Sequence, residues 1–268
     1  VEGNYNYYYK RNETKELGSG YANEGGYYAM GLYTKEQTNL NANFTFNKTF
    51  GDWTVNGFLR GEYYNNFEQA MSMNTNGGLI VPGQFFIGNS KNTPGYSGKI
   101  QGEKRILSVA FQAGASWKDQ IFLDVTGRND WSSALVYADG HGNYSFFYPS
   151  VSGSFVFTEV LPKNDVLTFG KIRGSWAEVG KDSSPYATST TLWAVQNVNG
   201  GFIGTGNYWE SGNKYLLPEK QRAWEVGAEL KFFNGRLGVD YTYYQSETSN
   251  QIVAPRLCQS TGYIFVKQ

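Results

Sequence analysis

The chain has one cysteine, one histidine and no excess of either charge, and each scarcity removes a class of protein. Cys258 alone builds neither a disulfide framework nor a thiolate metal cluster. His141 lies in a loop between glycines, with no nucleophile or ligand partner nearby, so neither an enzyme nor a metal site is expected. The 23 basic and 23 acidic residues balance, leaving no basic footprint for nucleic acid. No apolar run approaches the ~20 residues of a transmembrane helix. The glycine-rich stretch Asn199–Gly206 lacks the strand, helix and lysine of a phosphate loop and reads as a flexible loop. Acidic residues around Asp119, Asp139 and Asp182 lack calcium-loop spacing. No cofactor is expected.

What is abundant is aromatic side chain and glycine. The chain holds 21 Tyr, 18 Phe, 7 Trp and 33 Gly, and only 17% of it is charged, against about 25% in soluble domains. Many of the glycines fall inside runs that otherwise look like strands, where a soluble sheet avoids them. Mean hydropathy is nevertheless negative, at −0.49. A membrane barrel has this composition, because only alternate positions of its strands meet lipid.

The alternation is plain in Asn39-Leu40-Asn41-Ala42-Asn43-Phe44-Thr45-Phe46-Asn47, where every second residue is apolar. Successive strand side chains point to opposite faces, so this segment has one apolar and one polar face. The pattern returns about seven more times in runs of ~10 residues, long enough to cross a bilayer when tilted. It predicts strands over 39–48, 53–65, 106–117, 121–131, 149–158, 167–179, 224–233 and 236–247. Short turns at 49–52, 118–120, 159–166 and Asn234-Gly235 alternate with long connections at 66–104, 132–147 and 180–222. Barrels of the outer membrane have short periplasmic turns and long external loops, which places the short turns at the periplasmic rim.

Parity assigns the faces. Leu107, Val109, Phe111, Ala113 and Ala115 oppose Ser108, Gln112, Gly114 and Ser116; Ile121, Leu123 and Val125 oppose Asp124, Thr126, Arg128 and Asp130. Trp224, Val226, Ala228 and Leu230 oppose Glu225, Gly227 and Glu229, and Leu237, Val239 and Tyr241 oppose Asp240 and Thr242. A charge at the bilayer midplane costs about 2–4 kcal/mol, so the apolar set faces lipid and the charged set a wet lumen. Trp53 and Trp117 sit beside short turns, Trp131, Trp176 and Trp224 beside long loops, and all five keep apolar parity. Together with Tyr148 they are expected to form the two aromatic belts of a barrel.

Several longer segments resemble one family. Phe122–Ser133 (FLDVTGRNDWSS), Phe147–Glu159 (FYPSVSGSFVFTE), Phe169–Asp182 (FGKIRGSWAEVGKD), Pro218-Glu219 with Trp224–Gly227, and Leu237–Tyr244 (LGVDYTYY) follow in order. They resemble the SusC/RagA-type TonB-dependent transporters of Bacteroidetes outer membranes, well over about 105–252 and loosely before that. The resemblance implies an all-β, antiparallel transmembrane β-barrel of about 22 strands, of which this chain would supply eight or nine. It also implies a plug energised by TonB, a SusD-like surface lipoprotein as lid, and import of oligosaccharides or, in some members, peptides. No plug or TonB box is found within residues 1–268, and Val1 is no initiator, so the chain is expected to be a slice of the barrel wall of a longer protein.

Arg60, Glu62, Asp124, Arg128, Asp130, Arg173, Glu225 and Glu229 have lumen parity. They could touch substrate or plug, or simply form a cross-strand charge ladder. The aromatics of the long connections, Tyr144, Phe146, Phe147, Trp193, Tyr208 and Trp209, could stack on sugar rings, or pack the loops together. Two other readings of the whole stay open: a passive porin or adhesin on a small barrel, and a secreted carbohydrate-binding β module.

Overall fold

The computed structural model describes residues 1–18, 23–162, 164–190, 192–198, 201–206, 210–258, 260 and 264–268, excluding the side chains of 99–101 and 191–210. The strands are β1 (Glu2–Glu16), β2 (Tyr27–Phe50), β3 (Trp53–Leu79), β4 (Ser90–Trp117), β5 (Ile121–Ser132), β6 (Ser145–Val156) and β7 (Leu167–Lys181). They are followed by β8 (Leu192–Val198), β9 (Gly201–Gly206), β10 (Glu210–Ser211), β11 (Glu219–Phe232), β12 (Leu237–Ser249) and β13 (Phe265–Val266). One nine-stranded sheet runs in the order β1-β2-β3-β4-β5-β6-β7-β11-β12, and the pairings with a recorded register are antiparallel. Among the described residues β1 and β12 are its edges, and no helix is long and apolar enough to cross a membrane. The fold is the all-β antiparallel one that the alternation predicts.

The short turns gather on one rim. The Lys118 N–H donates to the Asp52 carbonyl (2.8 Å), Val156 N–H to Gln120 (2.8 Å), and Phe233 N–H to Val166 (2.9 Å). Each turn is thereby stitched to its neighbour. Lys118 and Asp119 both take positive φ, and Asn234-Gly235 does so together with Phe233. This widens the expected two-residue hairpin to 233–236, closed by Phe232 opposite Leu237.

The chain forms two compact units. The larger comprises Val1, 41–63 and 106–268. Within it the two faces of the sheet differ as parity predicts: Leu107, Val109, Phe111, Ile121, Leu123, Val125, Val226 and Val239 are exposed, whereas Ser108 and Asp130 are buried. Leu123 is 49% exposed and Asp124, its neighbour, is half-buried and accepts from Gln112 at 2.9 Å. The alternation slips once. On β7, Ile172 and Trp176 are exposed, then Val179, while Glu178 between them is buried. The true core is small: Leu135, Phe146, Ala187 and Leu216, with Tyr148 and Ile252 against it.

The smaller unit, 2–40 and 64–105, contains all of β1 and residues 27–40, 64–79 and 90–105 of β2, β3 and β4. It corrects the expectation of a long loop over 66–104, because β3 continues to Leu79 and β4 begins at Ser90. Leu79 is fully buried beneath Gly26, where a Cβ would come within 3.0 Å of its Cδ1. Tyr28 and Thr75 bond reciprocally, the Tyr28 N–H to Thr75 Oγ1 (3.0 Å) and that hydroxyl to the Tyr28 carbonyl (3.2 Å). Asn89 folds the tip: its Nδ2 donates to the carbonyls of Val81 (2.8 Å) and Gln84 (2.6 Å), and its Oδ1 accepts from the Val81 N–H (3.0 Å). Of the glycine-rich stretch, residues 201–206 depart from a plain loop, since β9 pairs antiparallel with β8, and 199–200 lie outside the described residues.

Candidate functional site: the polar face of the wall

Chemistry-bearing side chains concentrate on the polar face of β3 to β12, where strand parity brings residues far apart in sequence onto shared levels. Arg128 on β5 is the centre of the first cluster. Its Nε donates to Asp130 (2.7 Å), one terminal nitrogen to Glu62 (3.1 Å) and the other to Ser108 Oγ (2.8 Å). Arg60 Nε lies 3.8 Å from Glu62, beyond hydrogen-bond reach. The Tyr148 hydroxyl donates to the second oxygen of Asp130. Two cations and two carboxylates thus alternate and cancel, which is how half-buried charges are held at low cost. One level away, Gln112 bridges Asp124 and Asn56 across Gly114, where a Cβ would meet the Asp124 carboxylate at 2.5 Å.

A second cluster is built over another glycine. Arg173 on β7 reaches past β11 to Asp240 (2.7 Å) and Thr242 (2.6 Å) on β12. It passes over Gly227, where a Cβ would stand 2.9 Å from its Nε. Glu225 and Glu229 flank Gly227 on the same parity, and Glu229 pairs with Lys231 at 3.1 Å. Nearer the long connections, buried Glu178 accepts from Lys220 (2.9 Å) and Arg222 (2.7 Å). There, too, Ser132 Oγ bonds Asp182.

All eight sequence-predicted lumen residues therefore sit in polar clusters on one face, five in the first pair of levels and three around Gly227. Ser108, Asp240 and Thr242 complete them, and their parity already marked them as polar-facing. Tyr148 is a correction. Its hydroxyl turns to Asp130 rather than to the apolar side. The signal was available in the sequence: Ser150, Ser152 and Ser154 alternate with Val151 and Phe155, and counting back puts Tyr148 on the serine parity. Phe146 is a second correction, since it is buried in the small core and stacks on Tyr148 at 6.0 Å instead of offering a free ring. Phe147 is exposed, on the apolar parity, with its ring over Gly127 beside that of Phe111. Tyr144 is exposed. Tyr208 and Trp209, and the side chain of Trp193, fall outside the described residues.

The five tryptophans stand at two levels. Trp53 and Trp117 lie at the short-turn rim, with Lys118 Nζ 4.9 Å over the Trp117 ring. Trp131 pairs opposite Leu107, and Trp176 directly opposite Trp224. Leu107 precedes Trp117 by ten residues on β4, about 33 Å of strand, which a tilt of ~40° reduces to about 25 Å. That is the height of the apolar band of an outer-membrane barrel. His141 only approaches Asp139, at 3.4 Å, and among the described residues no cluster of side chains could hold a metal ion.

A model of the β-barrel of TonB dependent receptor-like proteins matches residues 1–266. The chain belongs to the TonB-dependent receptor family. TonB-dependent receptor P3 of Formosa agariphila is 24% identical over 248 residues, which are 86% of this chain and 23% of that protein. The structure of the RagAB peptide transporter superposes with a TM-score of 0.83 at 16% identity, over 99% of this chain and 30% of that one. The RagAB peptide importer in its "closed-closed" state superposes with a TM-score of 0.80 at 18% identity, over the same share of each chain. At such identities the structures speak for the fold, which is SusC/RagA-like. The family is one of outer-membrane receptors and transporters rather than enzymes. The chain spans less than a third of the length of these relatives.

Proposed function

We propose that the parent protein imports a bulky polar nutrient across the outer membrane, and that this chain is part of its barrel wall. The observation that carries the reading is the opposed chemistry of the two faces. One is a continuous apolar surface bounded by tryptophans. The other is a ladder of internally neutralised charges and hydroxyls that suits water and a hydrogen-bonding solute. In this reading Trp53, Trp117, Trp131, Trp176 and Trp224 lie at the two membrane interfaces, and the Arg128 and Arg173 clusters line the lumen. A plug and TonB box elsewhere in the parent couple it to TonB, and a SusD-like lipoprotein closes it from outside. The solute is an oligosaccharide or a peptide. The resemblance implied oligosaccharides or, in some members, peptides, and the RagAB neighbours, named as a peptide transporter and importer, give the peptide alternative more weight.

Coverage of 23–30% of the relatives favours a segment of a large barrel over a small self-closing porin. A secreted module is disfavoured by so many exposed apolar side chains on one face. The test is uptake of fluorescent oligosaccharides and oligopeptides by cells carrying the full-length parent, with and without TonB. Accumulation of one class that vanishes with TonB is expected. Uptake that ignores TonB would overturn active import.

A further inference from the structure

The lipid-side face carries a groove that its glycines do not have to leave open. Most strand glycines here are compelled by their neighbours. A Cβ at Gly57, Gly114, Gly127, Gly170 or Gly180 would come within 2.2–2.7 Å of another atom. Gly31, Gly61 and Gly238 are open as well, but Gly153 and Gly174 are open and lie directly opposite each other on adjacent strands. A Cβ at Gly153 would meet only the Phe122 carbonyl at 3.6 Å, and one at Gly174 only Glu225 O at 3.7 Å and Val226 Cγ1 at 3.8 Å. Neither has positive φ. A strand glycine weakens its sheet and often marks a place where something else approaches closely. Among the described residues nothing does so here.

The two glycines are directly paired across β6 and β7, with Leu123 beyond Gly153 and Val226 beyond Gly174. Four strands at ~4.8 Å spacing make this row about 14 Å long. The row Ile121–Phe155–Ile172 walls it on the side of the short turns, and Val125–Val151–Trp176 on the other. The space is about 500 Å³, lined by Ile121, Leu123, Phe155 and Ile172 around the glycine pair, within the ~300–1,000 Å³ range of small-molecule pockets. It belongs to the exposed apolar surface between the tryptophan levels, where hydrocarbon is the solvent if the wall crosses the membrane.

We propose that the groove is a binding site for one acyl chain of a membrane phospholipid, drawn from the leaflet next to the short turns. This rests on the membrane-wall reading above. A hydrocarbon tail needs no hydrogen-bonding partner, and the lining offers only carbon and paired strand backbone. Filling the groove with side chains would remove the site without disturbing the polar face.

The experiment uses the full-length parent in phosphatidylethanolamine/phosphatidylglycerol vesicles containing a phospholipid with a diazirine-tailed acyl chain, and labelled peptides are mapped by mass spectrometry. Labelling at Leu123 and Ile172 is expected to saturate at low probe fraction, while labelling at Val239 on the same face rises in proportion throughout. Gly153→Leu with Gly174→Leu should lower low-fraction labelling at Leu123 about tenfold, the contact of some two methylenes. Gly153→Ala serves if the pair blocks assembly, and the saturation comparison needs no variant. Proportional labelling at Leu123 would overturn the site as ordinary lipid contact. An unlabelled Leu123 beside a labelled Val239 would overturn it in favour of a protein occupant. No labelling at either position would remove the membrane reading, and this proposal with it.

Discussion

The larger unit and the smaller one, with β1 and stretches of β2 to β4, are both made of antiparallel strands, yet they are held in different ways. In the larger unit an apolar face is exposed and the polar face carries the charge clusters, so every strand has two unlike sides. In the smaller unit the apolar residues are scattered and the strands are held by pairs such as Lys35–Glu68 across strands (3.1 Å) and Lys91 on β4 with Glu24 in the turn before β2 (2.8 Å), with Leu79 and Tyr28 buried as anchors. Strand lengths agree. β5 and β6 have 12 residues each, whereas β3 and β4 have 27 and 28, far more than the ~10 that cross a bilayer. Alternation is thus strict where one face is apolar throughout and irregular where apolar residues are scattered.

The sharpest way to break this comparison is to put a charge on each face of β5. Leu123→Arg is expected to block assembly, since arginine at midplane costs about 2–4 kcal/mol. Thr126→Arg, two residues short of Arg128 on the polar face, should assemble normally. Heat-modifiable mobility of the outer-membrane fraction reads both, and equal tolerance would end the two-solvent account. Next in size is Leu79→Ala, which opens a cavity in the smaller unit for about 2–5 kcal/mol. Protease nicking between Ile80 and Gly88 should rise steeply while membrane assembly stays intact. Loss of assembly instead would show that the two units do not fold separately.

Arg128→Ala should cost about 1–3 kcal/mol, because it strands Asp130 and Glu62 on the polar face. Thermal melting of the detergent-extracted barrel measures this, and Asp130→Asn should recover part of the loss. An unchanged melting temperature would reduce the cluster to decoration. The smallest effect is one of pH. Lys15, Tyr28 and Arg11 hold the Glu13 carboxyl well below the usual carboxylate range, at about 2, and Lys91 lowers that of Glu24. A carboxylate depressed in the folded state stabilises fully above its unfolded value, and that contribution fades as pH falls toward the folded one. The protection factor of the Tyr28 amide, its exchange rate corrected for the intrinsic pH dependence, should therefore fall between about pH 4.5 and 2, and Glu13→Gln should flatten the response. Protection that falls equally in the variant would assign the effect to other carboxylates.

Residues 121–132 show how much of the candidate site could be read in advance. Ile-Phe-Leu-Asp-Val-Thr-Gly-Arg-Asn-Asp carries its own parity, so Asp124, Arg128 and Asp130 were assigned to the polar face without coordinates. Residues 66–104 show the opposite. Phe67, Met71 and Met73 still alternate with Glu68, Ser72 and Asn74, but Gln69 and Ala70 interrupt the period, and the asparagines and glycines from Asn74 to Gly78 read as loop. Tyr148 fell between the two cases. It stands just before the predicted start of β6, where one residue of boundary error turns a side chain to the wrong face.

What the chain determines by itself is local. Period-two alternation sorts each strand's side chains between two solvents, and glycine, asparagine and aspartate mark the tight turns that line up on one rim. What only the tertiary structure decided is register. Register brings Arg128 to Glu62 across 66 residues, sets Arg173 against Asp240 over Gly227 across 67, and lays Gly153 beside Gly174 to open the groove. Alternation is a property of one strand and its surroundings. Register depends on closing long loops between strands, so no single segment of the sequence contains it.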